Sequence, residues 1–70
     1  MARANTTHYS QILRQARIRR GLKQDYVASK LCIATSTLSL IERGERGLSV
    51  QRFIKLLEMY ELTLADFKQQ

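Results

Sequence analysis

Seventy residues carry twelve Lys and Arg against six Asp and Glu, for a formal charge of +6, and 44% of them are apolar; this describes one small domain with one modest core. With no proline, no apolar run of 18 residues and a single cysteine, the composition argues against a disordered chain, a membrane span, an internal disulfide and a zinc site. No charged-then-apolar leader opens the chain, so a cytoplasmic protein is expected, and the basic excess favours a polyanion: DNA, RNA or an anionic membrane surface.

Residues 1–8, MARANTTH, are polar and aperiodic and read as a flexible N-terminal arm, leaving residues 9–70 as the domain. Thr7 is placed to cap a first helix over about residues 8–20. On that helix Tyr9, Ile12, Leu13 and Ala16 share one side, Arg14, Arg17 and Arg19 point elsewhere, and Gly21 supplies the stop. A pattern then recurs four times, an apolar residue followed five positions on by another: Leu22/Val27, Ile33/Leu38, Leu48/Phe53 and Leu62/Phe67. Five is the spacing of the hydrophobic staple, from the residue before an N-cap to the fourth helical position. The N-cap slots are then Lys23, Ala34, Ser49 and Thr63, of which the last two are strong caps, and Thr63 has Asp66 three residues on. The expected helices are five, at about 8–20, 24–31, 35–43, 50–60 and 64–69. No segment alternates with period two, so no strand is expected.

Only Cys32, Ile33 and Ala34 separate the second and third helices, a joint of helix-turn-helix length. On the third helix Leu38 and Ile41 face inward together, the opposite face carries Ser36, Ser39, Leu40 and Arg43, and Thr35 and Thr37 lie on the flanks. Hydroxyls can donate to or accept from base edges, and arginine can grip guanine or phosphate. On an isolated helix such residues are more often ordinary solvated positions.

The run Gly21-Leu22-Lys23-Gln24-Asp25-Tyr26-Val27-Ala28-Ser29-Lys30-Leu31, followed by Ser36-Thr37-Leu38-Ser39-Leu40-Ile41-Glu42-Arg43-Gly44, resembles the phage repressor and Cro-like, or XRE-like, helix-turn-helix family. The resemblance covers about residues 10–67. It implies an all-α, compact five-helix bundle of the lambda-repressor-like type with a central helix-turn-helix. It also implies a sequence-specific regulator of transcription that binds double-stranded DNA, most often as a dimeric repressor on inverted half-sites. By the same resemblance Thr35, Ser36, Ser39 and Leu40 occupy base-reading positions. Gln24, Thr37, Arg43 and Arg46 occupy backbone-contacting positions, and Lys23 is placed to meet a phosphate. Glu42 is structural, and Ala28 is small so that two helices can approach closely.

Several residues depart from the family pattern. Cys32 stands where glycine is usual, and a left-handed residue with a side chain costs roughly 1 kcal/mol. Ala34 and Lys23 replace hydroxyl caps, Leu40 replaces a polar reader, Leu48 a proline and Glu61 a glycine. If Thr35 caps in place of Ala34, the third helix begins one residue later and Thr35 leaves the base-reading set.

A homodimer is expected by resemblance, because one such unit reads half a site. The fourth helix is expected to bury Val50, Phe53, Leu56, Leu57 and Tyr60, leaving Ile54 and Met59, with Leu64, as a pairing patch. A competing class is a protein-interaction module such as the antitoxin of a toxin–antitoxin pair, so a protein partner stays open. An enzyme is not expected: no catalytic set, cofactor motif, metal cluster or small-molecule substrate site assembles around the lone His8. RNA is disfavoured by the lack of an aromatic-bearing sheet or a GXXG loop.

Overall fold

The computed structural model describes the backbone of residues 3–68, with side chains from Tyr9 onward. Four α-helices, α1 (Arg3–Arg19), α2 (Gln24–Leu31), α3 (Thr35–Glu42) and α4 (Val50–Tyr60), are followed by one 3-10 turn, Leu64–Phe67. The expected fifth helix is therefore a single 3-10 turn, closed by Asp66 N–H to Thr63 O at 3.0 Å and Lys68 N–H to Ala65 O at 3.2 Å. Four residues are too few to establish α-helical bonding, and the tighter i to i+3 pattern closes them instead. No strand occurs among the described residues.

Helix α1 begins at Arg3, so the backbone of residues 3–8 is helical where the sequence reading placed an arm, and Thr7 lies inside the helix without capping it. Neither Gly nor Pro interrupts this stretch, and extending a formed helix costs little once its first turn exists. Met1 and Ala2 lie outside the described residues.

All four helices end in the same way. At Gly21, Cys32, Gly44 and Glu61 the backbone turns left-handed, with φ of 70°, 61°, 78° and 58°. In each case the next amide reaches back five residues: Leu22 N–H to Arg17 O, Ile33 to Ala28, Glu45 to Leu40 and Leu62 to Leu57, at 2.8–3.1 Å. This is the Schellman closure, which satisfies carbonyls that the helix leaves open. In three joints the residue that makes it, Leu22, Ile33 or Leu62, also opens the next staple, so one apolar side chain closes a helix and starts another. Hence these joints are short.

The N-caps stand at Lys23, Ala34, Ser49 and Thr63. Ser49 Oγ accepts from Arg52 N–H at 3.2 Å, and Thr63 N–H donates to the Asp66 carboxylate at 2.7 Å. Lys23 and Ala34 make no side-chain cap. Because Ala34 occupies the cap position, α3 starts at Thr35 and the later start does not occur.

The core joins Leu13 and Ala16 of α1, Val27, Ala28 and Leu31 of α2, Leu38 of α3, Leu56 and Tyr60 of α4, and Phe67. Tyr9, Phe53 and Phe67 form an aromatic cluster, with Phe67 edge-on to the other two at 5.4 and 5.3 Å between ring centres. Two further arginines close helix ends. Arg20 donates to Tyr60 O at 2.7 and 3.0 Å, and Arg52 to Leu31 O at 3.1 Å.

Two expectations for α4 are corrected. Val50 is 72% exposed, because at the first helical position it turns toward the preceding loop and away from the core. Met59 is half-buried and packs against the core, its flexible thioether side chain reaching in from the flank of the helix.

Tyr60 is 1% exposed, and its hydroxyl has no hydrogen-bond partner among the described residues. Burial, then the nearby Glu42 charge, push its ionisation far above the usual phenol range, against a smaller opposing effect of Arg17. A buried hydroxyl without a partner carries an unrecovered desolvation cost of about 1–3 kcal/mol. Tyr60→Phe is expected to raise unfolding stability by about 1 kcal/mol in urea denaturation, and a loss of similar size would reveal a bond to that hydroxyl. The left-handed positions give a matched pair. Cys32→Gly should stabilise by about 1 kcal/mol, and Gly21→Ala, whose added Cβ meets nothing within 4 Å, should destabilise by about as much. Equal transition midpoints for the three proteins would show that these turns carry no backbone strain.

Candidate nucleic-acid interface

Helix α3 is held from behind. Leu38 and Ile41 are buried, as is Glu42, at 5% exposure for the whole residue. Arg17 Nε donates to Glu42 Oε2 at 2.7 Å and its Nη2 to Oε1 at 3.2 Å, while Gln24 Nε2 donates to Oε1 at 3.0 Å. A third Arg17 nitrogen donates to Leu22 O at 2.7 Å. One buried carboxylate therefore ties α1, α2 and α3 together, and the charge-assisted fork of Arg17 fixes its direction. Arg17 points inward, 12% exposed as a side chain, in contrast to the outward position expected for it. Its partner lies 25 residues away, so no local spacing could have found the pair.

The opposite face of α3 is open. Thr35 and Ser36 are exposed, Thr37, Ser39 and Leu40 half-buried, and Arg43, beyond the last turn, exposed. The face is one α-helix wide and eight residues long, about 12 Å, and fits a DNA major groove about 12 Å wide. Its chemistry is hydroxyls with one apolar side chain, Leu40, which suits mixed polar and thymine-methyl contact.

Cations border this face. Lys23, just before α2, is exposed, as is Arg46 in the α3–α4 loop. Arg43 pairs with Glu45 at 3.2 Å, but both side chains are 58% exposed, and such a pair is weak enough to open toward a phosphate. Gln24 does not stand free: it is half-buried and bonded to Glu42, so it has one remaining amide hydrogen to offer. Neither α2 nor α3 has a side-chain cap. Their cap side chains accept no amide, so Gln24 and Asp25 of α2 and Thr35 and Ser36 of α3 have no acceptor from the cap residue, while Thr37 N–H bonds to Ala34 O at 3.0 Å; open amides are the condition under which a helix start receives a phosphate.

Of these residues, Thr37 of α3 and Arg46 of the following loop line one depression, together with Ala34 of the tight joint. Of the pairing patch, Ile54 is 48% and Leu64 68% exposed, whereas Met59 is not free. No helix among the described residues is long and apolar enough to cross a membrane.

A family model described as helix-turn-helix matches residues 13–67. No curated protein matches the chain. Among solved structures, the chain is similar to the restriction-modification controller protein C.AhdI from Aeromonas hydrophila, with a TM-score of 0.78 and 26% identity over 93% of this chain and 98% of that one. Matched across most of its length, and carrying the outward hydroxyl face, the short joint and the buried carboxylate behind it, the chain belongs to the XRE-like helix-turn-helix family and is a DNA-binding regulator of transcription.

Proposed function

We propose that two copies of this chain bind an inverted repeat in double-stranded DNA, each with α3 in the major groove, and repress by occupying a promoter. The observation that carries this reading is the single open face of α3, backed by Glu42 and bordered by Lys23, Arg43 and Arg46. In it Thr35, Ser36, Ser39 and Leu40 read bases, and the uncapped start of α2, Gln24, Thr37 and the three cations meet phosphates. Ile54 and Leu64 supply the apolar contact between the copies. The likeness to a restriction-modification controller supports a promoter of that kind of gene system as the target.

Selection from a randomised duplex pool tests the reading. An inverted repeat with half-sites about one helical turn apart should emerge, bound about a thousandfold tighter than random DNA. Binding without a motif, lost as salt rises, would mean charge attraction alone. Ser39→Arg should change the selected half-site more than the affinity for random duplex, and an equal loss on every duplex would remove Ser39 from the base readers. Arg46→Ala should weaken binding to all sequences alike and flatten the salt dependence by about one unit per half-site. An unchanged slope would remove that phosphate contact.

A further inference from the structure

The face beside the recognition surface holds a hollow of about 360 Å³, lined by α1, the α3–α4 loop and the start of α4. Leu13, Ile41, Leu48 and Phe53 form its apolar wall, and the exposed Val50 stands at its mouth. Among the described residues no acidic side chain lines it, and one cation does, Arg46. Arg46 has no ion pair or hydrogen bond among the described residues, since the neighbouring Glu45 pairs with Arg43. Arg46 also borders a second, more polar depression that reaches Ala34 and Thr37 of the helix-turn-helix, so one residue is shared by the hollow and the depression beside α3.

We propose that this hollow binds a small amphipathic monocarboxylate, an aromatic or medium-chain acid acting as an effector. The acid places its apolar body on Leu13, Leu48 and Phe53 and its carboxylate on Arg46. The volume lies at the low end of the range for small-ligand sites, about 300–1,000 Å³, which limits the body to about one ring or a short chain. The carboxylate is required by charge: an unpaired guanidinium at the edge of an apolar wall favours an anion that can accept its fork of donors over a neutral group. Occupancy draws Arg46 away from a DNA phosphate and weakens DNA binding. That consequence, unlike the site itself, rests on the backbone contact given to Arg46 above.

The site is tested without DNA, by NMR titration of the full chain with 4-phenylbutyrate and with its neutral amide. Saturating shifts are expected at the methyl signals of Leu13, Leu48 and Val50, with the acid bound about tenfold or more tighter than the amide. Arg46→Gln should make the two ligands equal. Val50→Glu, which adds an acid at an exposed first-turn position where a helix tolerates it, should abolish binding of the carboxylate. Absence of saturation, equal affinities in the unaltered protein, or shifts that follow protein concentration instead of ligand would overturn the site; the last is what a second copy covering the mouth produces. With the selected duplex, saturating acid should weaken binding several-fold in the unaltered protein and not in Val50→Glu. Ligand binding with unchanged DNA affinity overturns the coupling, and an unchanged salt slope in Arg46→Ala then places the failure in the DNA contact.

Discussion

The arrangement of the proposed reading surface depends on Glu42. The carboxylate of a residue at 5% exposure is tolerated only where its charge and its lone pairs are met. Here they are met by two side chains from two other helices, Arg17 of α1 and Gln24 of α2. Removing Arg17 alone would leave an unmatched buried charge, a change of about 3–5 kcal/mol in systems of this kind, which is a large part of the stability of a domain this size. A hydrophobic residue at the same place would tolerate many rotations of α3 about its axis. The carboxylate tolerates few, because rotation breaks the fork with Arg17. Its contribution is thus to direction, and the direction of α3 sets which hydroxyls point outward.

The joints add a second constraint on the same helices. Three residues link α2 to α3, and each has a structural duty. Cys32 takes the left-handed turn, Ile33 closes α2 and packs toward Leu38, and Ala34 stands in the cap position. Ala28, at 1% exposure, adds only a methyl group to the face that α2 buries in the core. The backbone strain at Cys32 and the missing cap at Ala34 both weaken this joint locally. Ala34 O accepts from the Thr37 amide, but the absent side-chain cap leaves the Thr35 and Ser36 amides without an acceptor from the joint, so local stability and open hydrogen-bonding capacity trade against each other on the face proposed to meet DNA.

These local devices explain what could be read in the sequence. The staple spacing depends on residues five apart, and it located all four N-caps and the bounds of α2 and α4. By resemblance to the family, Cys32 and Glu61 stand where glycine is usual, and both are left-handed. The errors arise where distant parts of the chain decide the outcome. Arg17 and Glu42 are 25 residues apart, and nothing in the α1 pattern separates an inward arginine from its outward neighbours. Met59 and Val50 both defied the helical wheel of α4. Which flank of a helix is covered depends on what packs beside it, and a wheel drawn for one helix lacks that information. The start of α1 was missed for another reason, since helix extension beyond an apolar stripe leaves no periodic signal.

The count of twelve Lys and Arg overstates what is available to a polyanion. Arg17, Arg20 and Arg52 are directed at carbonyls or at Glu42, where they close helix ends and hold the core together. Lys23, Arg43 and Arg46 are the cations that border α3. Three phosphate contacts would give a salt slope of only about −2.7 per copy. A reading helix about 12 Å long spans about four base pairs at 3.4 Å each. Four base pairs recur far too often in any genome to define a promoter, and three contacts hold too weakly to occupy one. Pairing two copies doubles both quantities in one step, and this arithmetic, independent of any relative, is the physical reason for proposing a dimer. It also gives Arg46 disproportionate weight: as about a third of the cationic border in each half-site, it is the residue through which a ligand in the neighbouring hollow would have the greatest effect.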